Sequence, residues 1–325
     1  MRGWLLVATI PTLSFILPLL LYICPSFFQP LFFGHFIRDY DDFNLLKGVV
    51  SYGRNFYLNG EAGRLGCWHI LPKTLSEEAK KNELSNEEIE KLMAKPNYTI
   101  IVYLHGSTHS RQWTNRVDTY NVLSAMDLHI LCLDYRGFGD SNGYPSEAGV
   151  ISDSIFLFNY AKNFAGKNYI FIWGHSMGSG IAIAVAMELS MKKMPPAGLI
   201  LEAPFNNVTD LITQSSHSAA WRWTPWFNVF VKQSISRSGL QFNSDKNIKL
   251  ITCPILIMHA VDDEIIAISL AKKLREAALS ANRDVTFISF AAERGLLHKH
   301  INKASELPLI LKNFIHHCAA KKKYA

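Results

Sequence analysis

The stretch Ile170-Phe171-Ile172-Trp173-Gly174-His175-Ser176-Met177-Gly178-Ser179-Gly180 is an apolar run closed by Gly-x-Ser-x-Gly, and a segment of helix-forming composition, Ile181 to Lys192, follows it. Read as strand, tight turn and helix, the pentapeptide holds the Ser176 hydroxyl clear of its neighbours, and the two glycines keep the turn uncrowded. Such a serine is a candidate nucleophile. The competing reading is a serine that merely caps a helix, so the pentapeptide needs a base, an acid and an oxyanion site elsewhere in the chain.

Outward from this stretch the body alternates short apolar runs with helical ones. The runs Thr99 to Leu104, His129 to Leu133, Asn168 to Trp173, Gly198 to Leu201, Pro254 to His259 and Val285 to Phe290 are predicted strands. Helices are predicted between and after them, over Val117 to Met126, Ser146 to Phe164, Ser179 to Lys193, Ser269 to Ala281 and Leu307 to His317. Near-continuous apolar strands joined by helices imply an α/β fold whose mostly parallel sheet is covered on both faces. Upstream, Gly48 to Tyr57 and Arg64 to Leu71 flank Asn59-Gly60-Glu61 and read as a β-hairpin. The charged Thr74 to Lys95 reads as a surface insertion or short helix, with a capping box at Ser85 to Glu88.

Ligands of such sheets collect at the carboxyl ends of the strands. There the chain places His105-Gly106-Ser107, Asp134 to Ser141, Ser176, Glu202, Asp262-Asp263 and His298-Lys299-His300. A serine, an aspartate and a histidine thus follow in that order. His298 or His300 is suited to take the serine proton because imidazole titrates near neutrality, and Asp263 or Asp262 would fix its tautomer, with Glu202 an outside candidate for the acid. Two backbone N–H groups, those of Met177 and Ser107, are expected to form the oxyanion hole. A cap insertion is expected over about 206–250. Its Trp221, Trp223, Trp226 and Phe227 are candidate substrate-binding residues for an acyl chain, and its basic excess suits an anionic head group.

The N-terminus adds a membrane expectation. From Gly3 to Ile37 no residue is charged, and Trp4 to Cys24 alone is long enough to cross a bilayer despite Pro11 and Pro18. The run exceeds the roughly 7–15 residues of a cleaved signal core and lacks a small-x-small cleavage site, which favours a signal anchor. Residues 1–37 therefore read as a transmembrane helix and interfacial segment, with Phe27, Phe28, Phe32, Phe33 and Phe36 at the interface, and residues 38–325 as the body. The sequons at Asn97 and Asn207 suit a lumenal body, whereas Lys322-Lys323-Tyr324-Ala325 resembles a retrieval tail read from the cytosol. A net charge of +6 without a long basic tract gives no reason to expect nucleic acid. Cys24, Cys67, Cys132, Cys253 and Cys318 are scattered without metal-ligand spacing, so no metal or disulfide framework is expected. Nothing in the sequence speaks to oligomeric state.

Several separated motifs together carry a family resemblance: Tyr103-Leu104-His105-Gly106, Leu133 to Ser141 (LDYRGFGDS), Trp173 to Gly178, Leu201-Glu202-Ala203-Pro204-Phe205, His259 to Asp263, Leu65 to His69 and His298-Lys299. From about Lys47 to Leu311 the chain resembles the membrane-bound α/β-hydrolases of the domain-containing-protein-twelve type, which are lysophosphatidylserine and monoacylglycerol lipases. The resemblance implies the α/β-hydrolase fold, Ser176 as nucleophile, Asp263 as acid, His298 as base, no cofactor, and a single-chain lipid as substrate. It also implies a single-pass protein of the endoplasmic reticulum membrane with a lumenal catalytic body. The chain departs from the family in the loop Ser107-Thr108-His109-Ser110-Arg111-Gln112-Trp113, where an asparagine-led, glycine-richer stretch is usual, and at Glu264 and Ala267, where prolines are common. A thioesterase acting on acylated proteins would use the same triad, and a non-catalytic lipid-binding protein would need none of it.

Overall fold

Eight strands form one sheet: β1 (Gly53–Gly60), β2 (Gly63–Ile70), β3 (Thr99–Leu104), β4 (Leu128–Leu133), β5 (Ile170–His175), β6 (Gly198–Glu202), β7 (Ile255–Ala260) and β8 (Val285–Phe290). The structure is a computed structural model and describes residues 19–38, 42–215, 222 and 224–324. Strand order is β1-β2-β4-β3-β5-β6-β7-β8. The β1–β2 hairpin and the β2–β4 pair are antiparallel, and every pairing from β4 to β8 is parallel. The hairpin turns at Glu61-Ala62, because Gly60 pairs with Gly63, so β1 runs three residues past the predicted Tyr57.

The central strands are buried from end to end, as expected where helices cover both faces. Five long helices do this: α2 (Thr114–Ala125), α3 (Glu147–Phe164), α4 (Met177–Met191), α6 (Ile268–Leu279) and α7 (Leu307–Tyr324). One apolar core joins α3, α4 and α6 to the sheet through Ile172, Ile181, Val185, Leu201 and Leu270. On the other face Tyr103, Tyr120, Trp173, Met258 and Leu311 join α2 and α7. Two further helices, α1 (Phe28–Phe33) and α5 (Pro225–Ser238), pack against each other.

Helix α1 has a local cause at each end. A 3₁₀ turn, Pro25–Phe27, leads into it, and Gly34 closes it in the left-handed region at φ +60°. Most of the apolar run expected to cross a membrane lies in residues 1–18, outside the described residues. Among the described residues no helix is long and apolar enough to cross a membrane. The described part of residues 206–250, where a cap is expected, contains a short helix, Val208–Gln214, then α5 and the turn Ser244–Asn247.

Candidate active site

The sheet assembles the site through register. In β3 and β5, Leu104 pairs with Gly174, which sets the His105-Gly106 loop beside His175-Ser176. In β5 and β6, His175 pairs with Glu202, and the Ser176 N–H donates to the Glu202 carbonyl at 3.0 Å. Because β4 and β5 lie on opposite sides of β3, the loops after β3 and β5 bound the crevice expected at a change of strand order.

Ser176 stands at the β5–α4 turn with φ +55° and ψ −122°, a conformation that L-residues seldom adopt. The glycines explain how it is reached. A β-carbon at Gly174 would lie 2.3 Å from the Gly178 carbonyl oxygen, and one at Gly178 would lie 2.0 Å from that of Leu104. Neither position has room for a side chain. Ser176 is buried to 8% exposure, with its hydroxyl 2.9 Å from His298 Nε2.

On the far side of the ring, His298 Nδ1 is 2.7 Å from Asp263 Oδ2. With the carboxylate ionised, Nδ1–H donates to it and Nε2 is left to accept the serine proton. Asp263 Oδ1 meanwhile accepts the N–H groups of Ile265 and Ile266 at 2.9 and 2.8 Å. Burial pushes the Asp263 carboxyl up, but hydrogen bonds from His259 and His298, the His298 charge and the Ile266 N–H together hold it well below the usual carboxylate range. The acid thus stays ionised when its partner is charged.

Between the sequence alternatives the structure is plain about position. Asp263, not Asp262, meets the ring, and the ring is that of His298, whereas His300 begins the turn Ile301–Lys303. Glu202 instead accepts from Trp173 Nε1 at 2.9 Å, and burial, with the Asp263 charge adding to it against the Trp173 bond, pushes its carboxyl up to about 7. A cavity of about 210 Å³ adjoins Ser176, lined by Ser107, Trp113, Glu202, Ile265, His298 and Lys299 among others. Met177 begins α4, a place where helix N–H groups lack intrahelical partners, and Ser107 lines the cavity. Trp226 and Phe227 are absent from the lining among the described residues, and Phe227 is buried in the core at 2% exposure. Trp221 and Trp223 lie outside the described residues.

Three further groups about the site were given no role by the sequence, although His175 and His259 lie within its motifs. Arg116, near the start of α2, donates to the carbonyls of Gly106, Ser107, Thr108 and Ser110 at 3.1, 3.1, 2.8 and 2.5 Å. His259 backs the acid, its Nε2 3.3 Å from Asp263 Oδ2 and 2.9 Å from the Ile266 carbonyl. His175 Nε2 lies 3.0 Å from the His298 carbonyl oxygen, and burial, then the His298 charge, lower its pKa to about 3. An uncharged His175 donates that bond and steadies the base.

A serine, imidazole and carboxylate in hydrogen-bonded series, on the strand–turn–helix of a mostly parallel sheet, define a serine hydrolase of the α/β-hydrolase class. Comparison with known proteins agrees. A family model described as "Serine aminopeptidase, S33" matches residues 95–244. Lysophosphatidylserine lipase ABHD12 of Danio rerio is 36% identical over 307 residues, 92% of this chain and 80% of the relative. That of Xenopus tropicalis is 38% identical over 308 residues, 92% of this chain and 79% of the relative. Protein ABHD12B of Homo sapiens is 34% identical, over 80% of this chain and 72% of its own length. Among solved structures, an alpha-beta hydrolase from Vibrio vulnificus superposes with TM-score 0.66 at 23% identity, over 88% of this chain and 92% of that one. The Pyrococcus furiosus esterase Pf2001 superposes with TM-score 0.62 at 18% identity, over 87% and 96%. The chain belongs to the ABHD12 family of α/β-hydrolases.

Proposed function

We propose that the chain hydrolyses the acyl ester of single-chain lipids, lysophosphatidylserine or a monoacylglycerol, with Ser176 as nucleophile, His298 as base and Asp263 as the acid that orients it. The observation that carries the reading is the unbroken series Ser176 Oγ, His298 Nε2, His298 Nδ1, Asp263 Oδ2 at 2.9 and 2.7 Å. Ser176 Oγ attacks the ester carbonyl carbon while its proton passes to His298 Nε2. The electron pair that leaves the carbonyl bond becomes the oxyanion, received by the N–H groups of Met177 and Ser107. As the intermediate collapses, the bond to the glycerol oxygen breaks and that oxygen takes the proton from His298. Water then repeats the sequence on the acyl-enzyme, giving fatty acid and free Ser176.

Two features support a lipid substrate. Ile265, which lines the cavity, and Val261 and Leu297, on the loops that carry the acid and the base, are exposed aliphatic side chains open to an acyl chain. Lys299 lines the cavity and offers a cation to an anionic head group. The relatives are named as lysophosphatidylserine lipases, which agrees with both. Membrane residence belongs to the same proposal: the uncharged run to Ile37 anchors the chain in the endoplasmic reticulum membrane, with the body on the lumenal side. Exposed Ile23, Phe27, Leu31 and Phe36 support it, continuing the apolar character of the run to the surface of the body.

Turnover of lysophosphatidylserine, monoacylglycerol and an acyl thioester peptide by wild type and Ser176→Ala is the test. Wild type should prefer the lipid esters and react with a fluorophosphonate. Ser176→Ala should lose the label and at least about 10³-fold in kcat, as other triads do. Labelling or turnover that survives in Ser176→Ala sinks the assignment, and a preference for the thioester replaces the substrate.

A further inference from the structure

The loop after β3 follows a conformation that its own residues do not favour. Thr108 and His109 both have positive φ, +61° and +51°. For residues with a β-carbon this conformation is unfavourable, so the surroundings must hold them. One side of that hold is Arg116, which takes the carbonyls of Gly106, Ser107, Thr108 and Ser110. The other comes from far away in sequence. The Thr108 N–H donates to the Phe33 carbonyl at 3.0 Å, and the His109 N–H donates to the Ile37 carbonyl at 2.9 Å.

Residues 33–37 therefore lie along the loop as a strap, and the strap is itself seated. Phe33 is fully buried, and Phe33 and His35 stand 6.4 and 6.3 Å from the Phe138 ring, which in turn stands 5.3 Å from His105. Strap and loop also approach each other at Gly34, where a β-carbon would lie 2.6 Å from Thr108 Cγ2. The close approach leaves no room for a side chain between the two segments at this point.

We propose that the strap Phe33–Ile37 is a positioning element of the active site. By holding the amides of Thr108 and His109, it fixes the loop whose Ser107 N–H receives the oxyanion, so the seating of the N-terminal segment sets kcat. The inference rests on Ser107 as the oxyanion donor in the reaction above. Because the strap is the last part of the uncharged run that ends at Ile37, whatever holds that run also bears on the loop.

A double-mutant cycle on the full-length protein in detergent tests it. Gly34→Ala, Thr108→Ser, the double variant, wild type and Ser176→Ala are compared for kcat and KM on a soluble short-chain ester, for fluorophosphonate labelling rate and for Tm. Gly34→Ala should lower kcat about 10- to 100-fold while KM moves less than about threefold, as a displaced oxyanion donor should. Thr108→Ser removes the facing Cγ2, should cost less than about threefold alone, and should restore most of kcat to Gly34→Ala. A kcat within twofold of wild type in Gly34→Ala overturns the proposal. So does a double variant as slow as Gly34→Ala, since the loss would then come from strain at Gly34 itself. Should Gly34→Ala fail to fold, Phe33→Leu loosens the strap on Phe138: a severalfold fall in kcat supports the proposal and an unchanged kcat overturns it. Residual turnover in Ser176→Ala would instead defeat the reaction assignment, so the two failures are distinct.

Discussion

At Ser176, φ +55° and the hydrogen bond from its N–H to the Glu202 carbonyl fix a backbone that aims Oγ at His298. Gly174 and Gly178 permit this, and both were legible as the ends of Gly-x-Ser-x-Gly. Residue identity also made Glu202 visible as a carboxylate at a strand end, but its role follows from burial. Its carboxyl sits at about 7 because burial, more than the nearby Asp263, disfavours the charge. A carboxyl raised in the fold from an ordinary value near 4.5 stabilises fully below that value and loses the contribution as pH rises towards 7. Wild type should thus lose on the order of 3 kcal/mol across that window from this group. Glu202→Gln, which can still accept from Trp173, should not. Denaturant melts of both proteins from pH 4 to pH 8 check this, and parallel stability curves would refute it.

At the scale of elements, strands and helices are legible in the sequence because the apolar runs are long and uninterrupted. Thr99–Leu104 and Val285–Phe290 match the predicted bounds, and β5 runs two residues further than Trp173. The loop after β3 is the opposite case. Its shape depends on Arg116 in α2, and nothing about an arginine in a helix's first turn announces that it will gather four carbonyls. Arg116→Lys keeps the charge but replaces the fork of Nη1 and Nη2 with a single nitrogen, which cannot serve Ser110 and the other three carbonyls in the same geometry. We expect kcat to fall about 10- to 100-fold with KM little changed, the signature of a displaced oxyanion donor. Steady-state kinetics decide the point, and a wild-type kcat in Arg116→Lys would show that the loop stands without it.

Over the whole molecule, buried charge is organised around the same edge of the sheet. Arg111, fully buried, pairs with Asp134 and with Asp140 at 2.8 Å and stacks over Phe43, its carbon 4.1 Å from the ring centroid. These partners lie in two segments, the turn at Phe43 and the loop after β4, so the cluster ties both to the loop after β3. Topology in the cell can be tested through the sequons. Asn97 is exposed in a turn, whereas Asn207 caps the helix Val208–Gln214 by accepting from the Asp210 N–H at 2.7 Å and bonds Asp245. If the body is lumenal, glycosidase treatment should shift its mobility, and Asn97→Gln should remove that shift while Asn207→Gln leaves it. Insensitivity of the wild type to the glycosidase would remove this support for a lumenal body.

The order of strands and helices, the nucleophile turn and the Ser, Asp, His succession were all present in the sequence, because apolar periodicity and glycine spacing act over a few neighbouring residues. Choosing Asp263 over Asp262 and His298 over His300 needed either the family resemblance or the fold, since neighbours in a loop differ only in where the chain directs them. The strap of residues 33–37, the carbonyl cage of Arg116 and the raised pKa of Glu202 belong to tertiary structure alone. Each arises from groups brought together across dozens of residues, where hydrogen-bond geometry and lost solvation decide the outcome and no local pattern records it.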